Sequence, residues 1–105
     1  MSKRLFELHA EMCKVFSNPV RLEMLNILRD KQWSVTDLVS KTDLSQANVS
    51  QHLSIMKAKG IVLSTRKGKH VYYRIANPKI IKAFDLIKEA LAETLNKQRY
   101  CKARG

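Results

Sequence analysis

Between Ser45 and His52 the chain sets Ser45, Gln46, Asn48, Ser50, Gln51 and His52 in one run that no acid interrupts. These side chains are short or planar and carry both donors and acceptors. Asn and Gln can each make a paired contact to adenine, and Ser can donate or accept at any base edge. A solvated helix face more often carries Glu and Lys pairs, which this run lacks. A second group, Arg66, Lys67, Lys69 and His70, surrounds Gly68 and suits contact with phosphate or a minor groove. The thiols Cys13 and Cys101 make a third candidate set. Thiolate is both the nucleophile and the soft-metal ligand, and Lys14, Arg99 and Lys102 favour that form. His9, one turn before Cys13, is the residue placed to join them in a metal site, although a lone His is more often solvated.

Other chemistries find no residues. There is no Ser/His/Asp set, no Gly-rich phosphate loop and no paired-carboxylate pattern, so an enzyme is not expected. Nor is there a CxxC for zinc or thioredoxin-like chemistry. Twenty Lys and Arg against nine Asp and Glu give a formal charge of +11, which favours a polyanionic partner. A small basic RNA-binding protein is the alternative, but the chain offers no aromatic stacking surface. No apolar run is long enough to span a membrane. The charged start, Met1 to Glu11, is unlike a signal peptide, so a cytoplasmic location and reduced cysteines are expected.

At 105 residues the chain reads as one domain, 1–105, with a modest core. Leu5, Leu8, Met12, Val15 and Phe16 step by three and four along a first helix. Asn18-Pro19 stops it and starts a second, in which Val20, Leu22, Met24, Leu25, Ile27 and Leu28 predict the most buried element. Ser34 caps a short third helix, with Asp37 three residues on. After the turn at Thr42-Asp43-Leu44, Ser45 caps the polar helix, which buries Val49, Leu53 and Met56 and stops at Gly60. A short helix, a tight turn and a polar second helix are the parts of a helix-turn-helix. Ile61–Arg66 and Val71–Ile75 are β-branched and aromatic, predicting a hairpin with Lys67, Gly68, Lys69 and His70 at its tip. Asn77-Pro78 opens a last helix striped by Ile80, Ile81, Phe84, Ile87, Leu91 and Leu95. The basic tail from Lys97 is expected to fray. So small a domain cannot bury both terminal stripes, so the first and last helices are expected to pair across a two-fold axis.

That order, mainly α with a small β-hairpin, is a winged helix-turn-helix. The run Phe16–Leu25 resembles the "A-x-P-x-R-L-x-I-L" segment of the ArsR/SmtB-type repressors. Leu44–Leu53 is similar to their recognition helix, and Gly68–Arg74 to their wing. The resemblance covers nearly the whole chain. It implies a homodimeric repressor of double-stranded operator DNA, released by an inducer, with Ser45, Gln46, Asn48, Ser50, Gln51 and His52 reading DNA and Arg66, Lys67, Lys69 and His70 on the wing. Many relatives sense soft metals through Cys-x-Cys at the third helix, where this chain has Ser34 and Thr36. Others use Asp and His of the last helix, which here offers Asp85, Glu89 and Glu93 but no His. Any soft-metal, metalloid or redox response is therefore assigned to Cys13 and Cys101. The alternative is a regulator of this family with no such sensing.

Overall fold

The computed structural model describes residues 2–104, with side chains placed through residue 98. Its elements run α1 (Lys3–Phe16), α2 (Pro19–Ile27), β1 (Trp33–Ser34), α3 (Val35–Thr42), α4 (Gln46–Ala58), β2 (Val62–Lys67), β3 (His70–Ile75) and α5 (Pro78–Arg104). The expected caps form. Asn18 Oδ1 accepts from the backbone N–H groups of Val20 and Arg21, at 2.9 and 3.1 Å. The Ser34 and Ser45 hydroxyls accept from Asp37 N and Asn48 N, at 3.0 and 3.1 Å. Each satisfies donors that a helix start leaves without an internal partner. Gly60 ends α4 at φ 73°, and Asp43 takes φ 58° between α3 and α4, a left-handed geometry that Asp tolerates.

Met24, Leu25, Leu28, Leu38, Val49, Leu53, Met56, Ile61 and Val62 are fully buried and form one core. Burial of this kind stabilises each side chain by about 1.5–3 kcal/mol. Helix α2 shares the load with α4 rather than dominating it, because Leu22 remains 40% exposed. Phe16 meets Phe84 edge-on at 4.8 Å between centroids, which anchors the end of α1 to α5. Asp85 binds Arg29 through both carboxylate oxygens, at 2.8 and 3.2 Å, and ties α5 to the end of α2. That hydrogen bonding holds the Asp85 carboxyl below its ordinary range, against an opposing desolvation.

Three expectations change. The sheet has three strands in the order β1-β3-β2, because Trp33 and Ser34 pair with Tyr73 and Tyr72. Two residues are too few to show a period of two, so β1 carries no sequence signal. Each arm of the hairpin reaches one residue further toward the tip than expected, and β2 starts one residue later, at Val62: Lys67 pairs with His70, leaving Gly68-Lys69 as the loop. Gly68 at φ 62° supplies the positive φ that a two-residue hairpin turn requires at its first position. Finally, α5 continues as helix through Arg104 instead of fraying after Lys97. Between Pro78 and Gly105 no Pro or Gly interrupts it.

Candidate nucleic-acid interface

Helix α4 is held by its buried row, Val49, Leu53 and Met56, all at 0% exposure. At 3.6 residues per turn the opposite line carries Ala47, Gln51 and Ser54, flanked by Asn48 and Ser50. Gln46, Ala47, Asn48, Gln51 and Ser54 are exposed, and Ser50 is half-buried. The outer line thus holds small or amide side chains, with Lys57 exposed one turn beyond. Such a surface can approach a groove closely and still offer hydrogen bonds. Ser45 is exposed at the helix start, but its hydroxyl is committed to the cap. Ala47, Ser54 and Lys57 were missed by reading the polar run alone. Their signal is the helical spacing carried on past Ser50 and Gln51.

His52 stands apart from this line. It is half-buried toward α2, and its Nδ1 accepts from Arg21 Nε at 3.3 Å. Burial, and then the charge of Arg21, push the imidazole below its ordinary pKa. Arg21 was not among the expected site residues, since nothing in sequence connects positions so far apart.

The wing does not gather its four basic groups at one point. Register puts Lys67 and His70 on the face shared with Thr65 and Tyr72, while Arg66 lies on the other face with Ser64 and Tyr73. Lys69 is in the loop. Lys67 Nζ lies 5.6 Å from the Tyr72 ring centre, and the His70 and Tyr72 rings meet edge-on at 6.4 Å. All four basic residues are exposed. The hairpin therefore presents cations to both sides, as a strand between two walls of a groove would need.

A helix-turn-helix followed by a basic β-hairpin is a duplex-DNA reader in geometry, and known proteins agree with it. The model of the bacterial regulatory protein, arsR family, matches residues 18–64, from the cap of α2 into β2. An HTH-type transcriptional regulator of Mycobacterium tuberculosis is 32% identical over 96 residues, covering 90% of this chain and 84% of that one. This chain belongs to the arsR family. Its members are DNA-binding transcriptional regulators, not enzymes. The crystal structure of the Mycobacterium tuberculosis regulator superposes with a TM-score of 0.83, covering 92% of this chain and 98% of the other. The solution structure of a homodimeric winged helix-turn-helix domain from Mycobacterium bovis, 28% identical, gives 0.81 over 92% and 93% of the two chains. The transcriptional repressor PagR of Bacillus anthracis is 39% identical over 72 residues, covering 68% of this chain and 72% of its own.

Two side chains at the expected sensor positions are engaged in structural roles. Ser34 is 5% exposed and spends its hydroxyl on a cap, and Asp85 is committed to Arg29. Among the described residues, no three of His, Cys, Asp and Glu come together as a metal site. Cys13 is exposed on α1 and lines a cavity of about 360 Å³ with Phe16, Leu22, Phe84 and Leu91. The side chain of Cys101 lies outside the described residues. Among those residues, no helix is long and apolar enough to cross a membrane.

Proposed function

We propose that this protein is a cytoplasmic homodimeric repressor that reads a near-palindromic duplex operator with two copies of α4 and grips its backbone with two wings. The observation that carries this reading is the outer line of α4, which is exposed and free of both acids and large apolar groups. Such a line has no use in a core and little in an ordinary solvated helix, but it fits base edges. Dimerisation is supported by the exposed apolar rows of α1 and α5. They include Leu5, Phe6 and Leu8 on one helix and Leu86, Ile87, Leu91 and Leu95 on the other. Patches of this extent mark interfaces. It is supported also by the homodimeric Mycobacterium bovis relative. Repression follows if the dimer covers a promoter, as the repressor name of the Bacillus anthracis relative suggests. Release is assigned to the thiols, of which Cys13 stands exposed on α1.

The test begins with a duplex selected from a random pool by the wild-type protein. Gln51→Ala should then weaken binding to the selected duplex by about 1–3 kcal/mol and leave random duplex nearly unchanged. Equal losses on both would remove α4 from base reading. Tighter binding to structured RNA than to any duplex at matched salt would overturn the DNA reading itself.

A further inference from the structure

We propose that Arg21 is a positioning residue for operator recognition, fixing the setting of α4 against the end of α1 by way of His52. The inference deepens the operator-reading function and rests on it.

Helix α1 ends at Phe16, so the Val15 carbonyl lacks a partner. In a continued helix it would accept from the N–H of residue 19, but residue 19 is Pro and has none. Arg21 Nη1 takes that place, donating to the Val15 carbonyl at 3.0 Å. The same guanidinium donates through Nε to His52 Nδ1 at 3.3 Å. Its own backbone N–H is held by Asn18 Oδ1 at 3.1 Å, in a first turn where Pro19 fixes φ. One side chain, launched from a rigid base, therefore joins the end of the dimer-side helix to the recognition helix. A guanidinium has the planar fork to meet both acceptors at once, and an ammonium does not.

The link also dictates the state of His52. A ring nitrogen that accepts from Arg21 carries no proton, so the imidazole is neutral with its hydrogen on Nε2. Nε2–H is then the ring's only N–H donor. Without the link α4 still buries Val49, Leu53 and Met56, but it can turn about that row. Base contacts require a register of a few tenths of an ångström, while long Lys side chains follow a phosphate through larger shifts. Losing Arg21 should therefore cost specificity and spare general affinity.

The experiment has a DNA-free arm and a DNA arm. With ¹⁵N-labelled histidine in the DNA-free protein, wild-type His52 should show one bare and one protonated ring nitrogen. In Arg21→Met the tautomers should mix. The His52 titration should move up only part of the way to the ordinary value, since burial is the larger cause of its depression. In the DNA arm, Arg21→Met and Arg21→Lys should bind the selected duplex about 10-fold more weakly or worse, the scale of one lost base contact. Random-duplex affinity and the salt slope should stay as in wild type. Two His52 variants carry the test if Arg21 variants do not fold. His52→Asn keeps an acceptor near the Nδ1 position, whereas His52→Gln puts its amide near Nε2, away from Arg21, and should lose more selectivity than His52→Asn does. Selectivity kept in Arg21→Met or in His52→Gln would overturn the proposal, as would equal losses on selected and random duplex. Wild type failing to select any duplex would instead refute the operator reading, while the tautomer measurement still decides the Arg21–His52 link.

Discussion

Helix α4 and the α1/α5 face are both exposed, yet they are built from opposite materials. On α4 the outward side chains are amides, hydroxyls and alanines, with Lys57 near its end. Along α1 and α5 they include Leu5, Phe6 and Leu8, with Leu86 and Ile87 at 64% and 63% exposure. Water tolerates the first surface at no cost and the second only at the cost of hydrating apolar area. The apolar face therefore asks for a partner that removes it from water, which a second copy of the same chain supplies by symmetry. The polar face asks instead for a partner that is itself hydrated and patterned. Exposure alone does not mark a functional surface. What the exposed atoms can exchange with water does.

The largest effect should come from spoiling the apolar face. Leu91→Lys places a charge on the proposed dimer face, and the protein should sediment as a monomer at micromolar concentration. A monomer reads one half-site instead of two, so affinity for the selected operator should fall about 100-fold or more. A wild-type protein that is already monomeric would break the contrast between the two faces.

A smaller effect belongs to the wing. Replacing Lys67 and Lys69 with Ala should weaken selected and random duplex alike. The slope of log K against log salt should flatten by about 1 for each lost phosphate contact. Because Lys67 and the loop residue Lys69 need not reach the same phosphate, the single variants should each give part of the change. An unchanged slope in the double variant would take the hairpin out of the interface.

The smallest effect is expected from thiol chemistry on the apolar side, which reaches DNA only by changing how the subunits sit. Half-sites lie about one helical turn apart, roughly 34–36 Å, so a modest rotation lowers affinity without abolishing it. Diamide, which takes two electrons and two protons from a pair of thiols and becomes the hydrazine, should partly release operator from wild type. Arsenite should do so by binding thiolate. Cys13→Ser should bind operator as wild type does and resist both reagents. Release from Cys13→Ser equal to that from wild type would make this thiol a bystander.

By itself the sequence determined the elements whose signals are local. Asn18-Pro19, Ser34, Ser45 and Asn77-Pro78 announce helix starts because capping needs only neighbours within three residues. The stripes of α1 and α5 and the buried row of α4 follow from a period of 3.6, and the hairpin arms from branched and aromatic residues. The polar run of α4 was legible as an exposed helix face for the same reason. Tertiary structure alone decided what depends on distant partners. Two-residue β1 exists only because β3 passes beside it, and Lys67 and His70 joined the strands because pairing across the hairpin reached them. Arg66 was separated from Lys67 and His70 by the alternation of a strand whose register the sequence did not show. The same holds for Arg21 and His52, whose contact exists because α2 and α4 pack on one core. Packing set that distance, and no spacing along the chain encodes it.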